Sequence, residues 1–303
     1  MFLSHEELLR SDIADRVSPD WKAKIETGAV QRTASGLPIL IDNSASLVDI
    51  DQLTNARGRG VDQSREGIRL RISEACSRSY DVAERNAAQI VQTLGADRPI
   101  VGLVVGGGTL GPGVQRLMNE ASVHLVSFDV YDAERLTFVG DGHWIPFVDG
   151  SIDFVWIQAV LEHVADPGLV ASECERVLKA GGLVYAETPF MQQVHAGVYD
   201  FTRFTGLGHR MLFPKCDTVS SGAIDGPGVA LIWSLRYFFA GLFRSKNVGR
   251  VIGLLFGWLK LFDYIIPENR RQMGAASFYF LGKKRQASKP LLPREMIGEY
   301  GGV

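Results

Sequence analysis

The chain is poor in cysteine: its 303 residues include three, Cys76, Cys174 and Cys216. They are scattered, with no C-x-x-C pair. That excludes a disulfide framework and a cysteine-built zinc site, and leaves buried thiols in a reducing cytoplasm. Net charge is small as well, −2 from 32 basic and 34 acidic residues. A chain so balanced has no bulk field for nucleic acid, and no nucleic-acid partner is expected. Long apolar runs are missing where they would matter most. In the most apolar region the longest uncharged run, 226–235, has ten residues, against about 20 for a membrane span. The opening "MFLSHEELLRSDIADRV" carries early acids and no unbroken apolar core, so it does not read as a signal peptide. What is present is an ordinary globular composition, 46% hydrophobic and 22% charged, enough for one large domain with additions.

Residues 1–65 read as an irregular extension, with a short strand in "GLPILID" (36–42) and a polar linker in "NARGRGVDQSR" (55–65). Residues 66–94 carry a helical pattern ended by Gly95. A regular alternation follows. Strands are expected at 100–105, 123–129, 136–139, 152–157 and 183–187, with helices at 112–121 and 167–179. Asp166 and Pro167 open the second helix and Gly181 closes it. Strands alternating with helices mean βαβ units, hence an α/β, Rossmann-like doubly wound fold with a mostly parallel sheet. Two more strands are expected at 216–225 and 276–284. Ligands in such sheets sit outside the carboxyl ends of the strands. The residues just after each strand therefore carry the functional expectation.

The first of these positions is "PIVGLVVGGGTLGPGV" (99–114), an apolar strand running into glycines. Gly106, Gly108 and Gly111 spell G-x-G-x-x-G, and Gly107 and Thr109 belong to the same turn. The turn serves a nicotinamide dinucleotide or S-adenosylmethionine equally well. Asp129 ends the next strand, where a carboxylate accepts from ribose hydroxyls in either case; Asp132 is the reserve. On the turn and the acids alone both cofactors stay open.

The block "VGDGHWIPFVDGSIDFVWIQAVLEHVADP" (139–167), followed by "ERVLKAGGLVYAETP" (175–189), resembles the S-adenosylmethionine-dependent methyltransferases with a Rossmann-like fold. The resemblance spans 99–204 and is nearest to the branch that modifies small molecules and glycans, in which "VYDFTRFT" (198–205) also has a counterpart. It implies a seven-stranded sheet with an antiparallel last strand and S-adenosylmethionine as cofactor. It further implies that Asp141 and Gly142 meet the adenine, with Trp144 or Ile145 packed on its ring. Gln158 and Ala159 then lie under the sulfonium end. Val104 and Leu110 stand where relatives often carry an acid and a glycine. Methyl transfer to a hydroxyl needs a base, and His163 and His195 have the intrinsic pKa for it. Tyr199, Asp200 and Arg203 are the candidates for acceptor contact. The alternatives are an NAD(P)-dependent oxidoreductase and a degenerate, non-catalytic binding scaffold.

The methyltransferase domain is expected over 66–284, with a tail at 285–303. Within it an insertion, 226–267, holds two apolar helical stretches, 228–243 and 251–266, joined by "RSKNVGR". Three roles fit it: a lid or core packing, ranked first; then a peripheral membrane surface reaching a lipid-linked acceptor; and a homodimer interface. "GLPILID" also resembles the end of a zinc-ribbon module, but without its cysteines no metal is implied. The expected location is cytoplasmic, with peripheral membrane contact as the variant of it.

Overall fold

The computed structural model describes residues 1–10, 14–41, 46, 78–95, 97–286 and 289–299. The linker expected at 55–65 lies outside the described residues, as does the first half of the helix expected at 66–94, of which Arg78–Leu94 is described.

Eight strands form one sheet: β1 Ile39–Leu40, β2 Ile100–Val105, β3 Val123–Asp129, β4 Phe138–Gly140, β5 Ile152–Gln158, β6 Leu178–Pro189, β7 Cys216–Ala223 and β8 Ser277–Lys284. Their order is β1-β4-β3-β2-β5-β6-β8-β7. All neighbours run parallel except β8, which is antiparallel to both β6 and β7. Leaving β1 aside, this is the seven-stranded, doubly wound sheet with an antiparallel last strand. The eighth strand comes from the "GLPILID" segment, which pairs with β4 through Ile39 and Val139.

The strands are apolar without alternation because helices cover both faces. In β2, Val101, Leu103 and Val105 enter one core, while Ile100 and Val104 enter the other. Gly102 is obligatory between them: a Cβ there would lie 2.1 Å from the Phe154 ring. The helix Pro167–Val177 is capped as its sequence predicts, Asp166 accepting from the Leu169 N–H at 2.9 Å. It ends two residues early, however. Gly181 (φ +81°) sits inside β6 rather than closing the helix, beside the irregular register of β5 against β6.

Residues 1–41 are more than an irregular addition. Leu3, Leu8, Val17 and Ile25 join the larger core, and the Leu3 N–H donates to the Leu125 carbonyl at 2.8 Å. The tail also docks on the domain: Met296 is buried, and Glu299 pairs with Arg210 at 2.8 Å.

The insertion differs from two apolar helices. It forms a helix Pro227–Leu242, a second helix Lys246–Leu255, and a run of 3₁₀ turns Gly257–Tyr264. Of the role ranked first, a lid or core packing, the core-packing half does not hold. Ala230 is the buried residue of the first helix, whereas Phe238, Leu242, Leu254 and Trp258 are all more than half exposed. Asp263 ties the foot of the insertion together. Buried at 1% exposure, it accepts from the N–H groups of Gly226, Gly228 and Val229 at 3.1, 2.8 and 3.1 Å.

Candidate functional site

The glycine turn follows β2 directly. The N–H groups of Gly106 and Gly107 both donate to the Phe128 carbonyl at 3.0 Å, fixing the turn against the end of β3. Gly106 takes φ +76°, a conformation that side chains rarely adopt, and a Cβ on it would sit 2.3 Å from Val160. Gly108 is equally confined, by the Tyr131 ring at 2.6 Å. Thr109 is exposed at the tip. Val104 is buried in the sheet, and Leu110 packs against the core beneath it.

Asp129 reaches this turn. One oxygen accepts from the Gly108 N–H at 3.0 Å and the other from the Val130 N–H at 2.7 Å. The Tyr131 hydroxyl donates to this carboxylate as well, which leaves it one lone-pair position for a further donor. Burial pushes its pKa up to about 6, against the lowering effect of those hydrogen bonds. Asp132, the reserve, instead accepts from the Ser35 hydroxyl at 2.8 Å.

Asp141 follows β4 and is buried among protein partners. It accepts from the His143 N–H at 3.0 Å, from His143 Nδ1 at 2.6 Å and from the Ser46 hydroxyl at 2.5 Å. His143 Nε2 accepts from the Asp166 N–H, so the ring proton sits on Nδ1, toward the carboxylate. Although burial works against it, this bonding holds Asp141 below the usual carboxylate range. Gly142 is buried against Val170. Ile145 is wholly buried in the core and offers no open face, while Trp144 lies against Trp21 with ring centroids 5.5 Å apart.

Gln158 closes the floor at the end of β5. Its Nε2 donates to Glu187 at 2.8 Å, and its Oε1 accepts from Trp156 Nε1 at 3.3 Å. The Tyr185 hydroxyl donates to the other oxygen of Glu187. Burial pushes Glu187 up to about 7. Gly111 leaves room for this network, since a Cβ there would lie 2.0 Å from Gln158 Oε1. Ala159 follows with φ +54°, a strained position for a residue with a side chain.

A second cluster lies beyond it. Glu162 and His163 stand on a 3₁₀ turn, Leu161–His163, and the loop after β6 folds over them. The N–H groups of Phe201 and Thr202 donate to the Glu162 carbonyl at 2.8 and 3.2 Å. His163 Nε2 lies 3.1 Å from His195 Nε2 and 3.6 Å from a Glu162 oxygen. Asp200 is ion-paired with Arg203 and accepts from the His195 N–H at 2.8 Å. Burial holds both histidines below the ordinary imidazole pKa and pushes Glu162 up to about 8. Tyr199 contributes its carbonyl, which receives His163 Nδ1 at 2.8 Å, while its side chain is exposed. The loop meets the insertion where Gln193 Nε2 donates to the Ser234 hydroxyl at 3.2 Å.

The expected residues thus assemble in three places. Gly106, Gly107, Gly108 and Asp129 form one group; Asp141 and Gly142 form a second behind Ser46. His163, His195, Asp200 and Arg203 form the third, with Gln158 between the first and the third. Sequence reasoning missed Glu187 and the burial of Glu162. Glu187 had a signal, being an acid at the carboxyl end of a strand. Glu162 had none, because the loop that buries it lies 38–40 residues further along.

Residues 115–186 match the family model described as a methyltransferase domain, a segment that includes Asp129, Asp141, Gln158 and His163. The S-adenosylmethionine-dependent methyltransferase resemblance of the sequence agrees with that match and with the sheet order. A 51-residue stretch is 45% identical to the uncharacterized 37.1 kDa protein in transposon Tn4556 of Streptomyces fradiae, and the match spans 17% of this chain and 15% of that protein. Among solved structures, the complex of the Haloferax volcanii Trm112 methyltransferase activator with a methyltransferase has a chain 18% identical, at a TM-score of 0.45, covering 69% of this chain and 91% of that one. Haemonchus contortus phosphoethanolamine N-methyltransferase 2, in complex with S-adenosyl-L-methionine, is 17% identical at a TM-score of 0.43, covering 69% of this chain and 56% of that one.

Proposed function

We propose that the chain is an S-adenosylmethionine-dependent methyltransferase whose acceptor is a small molecule or glycan carried on a lipid. The observation that supports the cofactor is the pairing of the glycine turn with Asp129, whose carboxylate keeps an acceptor position for a ribose hydroxyl beside the bonds from Gly108, Val130 and Tyr131. Asp141 has the acceptor position for an adenine amino group, which would replace the Ser46 hydroxyl. Gln158, held by Glu187, would bound the methionine end.

Bound S-adenosylmethionine supplies a methyl group already activated by a positive sulfur. The protein then has to orient the acceptor in line and take its proton. Either Nε2 of the His163–His195 pair can receive that proton, because burial keeps both rings neutral near pH 7. The Asp200–Arg203 pair holds the loop that carries His195.

The lipid part of the reading rests on the insertion. Its apolar side chains are turned outward, and Arg236, Arg244, Lys246 and Arg250 are exposed among them. Asp263, the single acid between 226 and 267, is buried. Apolar anchors with cations and no exposed acid match an anionic membrane surface. Among the described residues no helix is long and apolar enough to cross a membrane, so contact would be peripheral. The bond between Gln193 and Ser234 sets this surface beside the loop of the histidines.

The test is thermal shift with S-adenosylhomocysteine against NAD(P)H, with flotation on anionic liposomes. Stabilisation by S-adenosylhomocysteine and flotation are expected. A shift with the nicotinamide alone makes the chain an oxidoreductase, and no shift with either makes it a scaffold. Protein that stays at the bottom of the gradient removes the lipid.

A further inference from the structure

The two histidines and Glu162 form a cluster whose hydrogen bonds do not close on themselves. His163 Nδ1 faces the Tyr199 carbonyl at 2.8 Å. A carbonyl accepts, so this nitrogen carries the ring proton and Nε2 carries the lone pair. His195 Nδ1 faces an Asp200 oxygen at 3.4 Å and Arg203 Nη2 at 3.5 Å. The Arg203 guanidinium can only donate to that nitrogen while the Asp200 carboxylate can only accept from it, so His195 can hold its ring proton on either nitrogen. The two Nε2 atoms lie 3.1 Å apart, where a single ring proton bridges the neutral pair and an ion would take that proton's place. Glu162 stands over the same point. It is completely buried, and apart from its own backbone N–H no donor approaches either carboxylate oxygen. The ligand atoms of all three side chains lie within 4.8 Å of one another.

We propose that Glu162, His163 and His195 form a binding site for a divalent transition-metal ion of the zinc class. Two imidazole nitrogens about 2.0–2.1 Å from such an ion, at near-tetrahedral to near-right angles, lie about 2.9–3.4 Å apart. The observed separation of 3.1 Å falls inside that span, and the Glu162 carboxylate closes in on the ion from a cluster whose ligand atoms now lie within 4.8 Å of one another. Two imidazoles and a carboxylate are a ligand set that transition ions prefer over calcium or magnesium. The outer partners also suit a metal site: His163 gives its other nitrogen to the Tyr199 carbonyl, and His195 Nδ1 faces the Asp200 carboxylate at 3.4 Å. Once Glu162 gives up its proton, as a ligand must, Glu162 and Asp200 outweigh Arg203 by one negative charge. No cysteine takes part, which is why cysteine spacing pointed away from a metal. Three protein ligands leave a position open to an oxygen ligand, and on the methyltransferase reading that position belongs to the acceptor hydroxyl. The imidazoles would then hold the ion, and a group bound to it would meet the proton.

Ion binding is measured without cofactor or acceptor, so it is separable from the methyl-transfer reading. Full-length protein is stripped with EDTA, titrated with Co²⁺ and followed by its visible d–d absorption, with Zn²⁺ as competitor. Saturation near one ion per chain is expected, as is a rise in thermal midpoint with Zn²⁺. His163→Ala and His195→Ala should each weaken Co²⁺ binding at least about tenfold while circular dichroism is unchanged. Asp200→Asn, an outer partner, should weaken it about 10–100-fold. Wild-type protein with no Co²⁺ spectrum and no Zn²⁺ shift overturns the proposal, whatever the variants do. So does equal binding by a folded His163→Ala/His195→Ala double variant.

Discussion

Replacing Asp263 by Ala tests how the exposed insertion is held to the domain. The carboxylate caps the helix Pro227–Leu242 from 34–37 residues away, accepting from the N–H groups of Gly226, Gly228 and Val229. These donors belong to the first turn, where no intrahelical partner exists. A cap hydrogen bond contributes about 1 kcal/mol, rarely more than about 2. A negative charge at a helix N-terminus adds about 0.3–1 kcal/mol, more where it is partly buried. Three donors share one acceptor, so the contributions do not add in full. Buried Gly226, with no room for a Cβ against Asp263, marks a tight site that water fills poorly. The expected loss is about 2–4 kcal/mol.

That loss should fall on the insertion first, because its apolar face makes few contacts with the core. Sub-global opening is read by hydrogen exchange. At 1.4 kcal/mol per tenfold, amide protection in Pro227–Leu242 should drop about 30- to 1,000-fold, while β2 and β5 keep theirs. Asp263→Asn keeps one acceptor oxygen and should fall between. A drop of less than about threefold in Asp263→Ala would refute the capping argument. Equal loss of protection in β2 would refute the idea that the insertion opens on its own.

Asp129→Asn should weaken S-adenosylhomocysteine binding by about 1–3 kcal/mol, read by titration calorimetry, since a charged acceptor is lost; unchanged affinity removes Asp129 from the cofactor site. Phe238→Ser with Phe243→Ser should abolish liposome flotation and leave S-adenosylhomocysteine binding intact, because both rings are more than half exposed. Flotation that persists would move the membrane surface elsewhere. The Glu187 carboxyl, pushed up to about 7 in the fold, holds its proton more tightly folded than unfolded. Its contribution to stability is therefore largest below the unfolded value near pH 4.5 and falls as pH rises through 7. The urea stability of Glu187→Gln should gain on the wild type between pH 5.5 and 8, and a constant difference would discard the raised pKa.

The strands were legible because both faces of the sheet are covered. An apolar run such as Ile100–Val105, ended by glycines, has few other meanings. Boundaries were less legible, and Gly181 shows the reason. A glycine after a helical pattern reads as a cap, yet here its positive φ serves an irregular strand. In the insertion, periodicity marked the helices but could not say whether apolar side chains pointed inward. That depends on the foot made by Asp263, which no local pattern announces. The first forty residues hid their core role because Leu3, Leu8, Val17 and Ile25 keep no common period. Asp129 was readable from its place at a strand end. The approach of His195 to His163 was not, since His195 arrives from a loop 32 residues after His163.

Two buried glutamates at the carboxyl ends of adjoining strands make the physical contrast on which the site turns. Glu187 is satisfied: Tyr185 and Gln158 donate to its two oxygens, and Gly111 lacks a side chain so that Gln158 fits. A satisfied buried carboxyl positions its neighbours and needs no ligand. Glu162 is as deeply buried, and its carboxylate is without such donors. Burial of this kind keeps the group protonated near pH 7, its pKa pushed up to about 8, unless a cation pairs with it. The loop that seals Glu162 also brings His195 to His163 and bonds the insertion at Ser234. Whatever seats against the insertion therefore acts on the same segment that encloses the unsatisfied carboxylate. On the proposed readings, acceptor delivery and completion of the Glu162 cluster would be tied through that one stretch of chain.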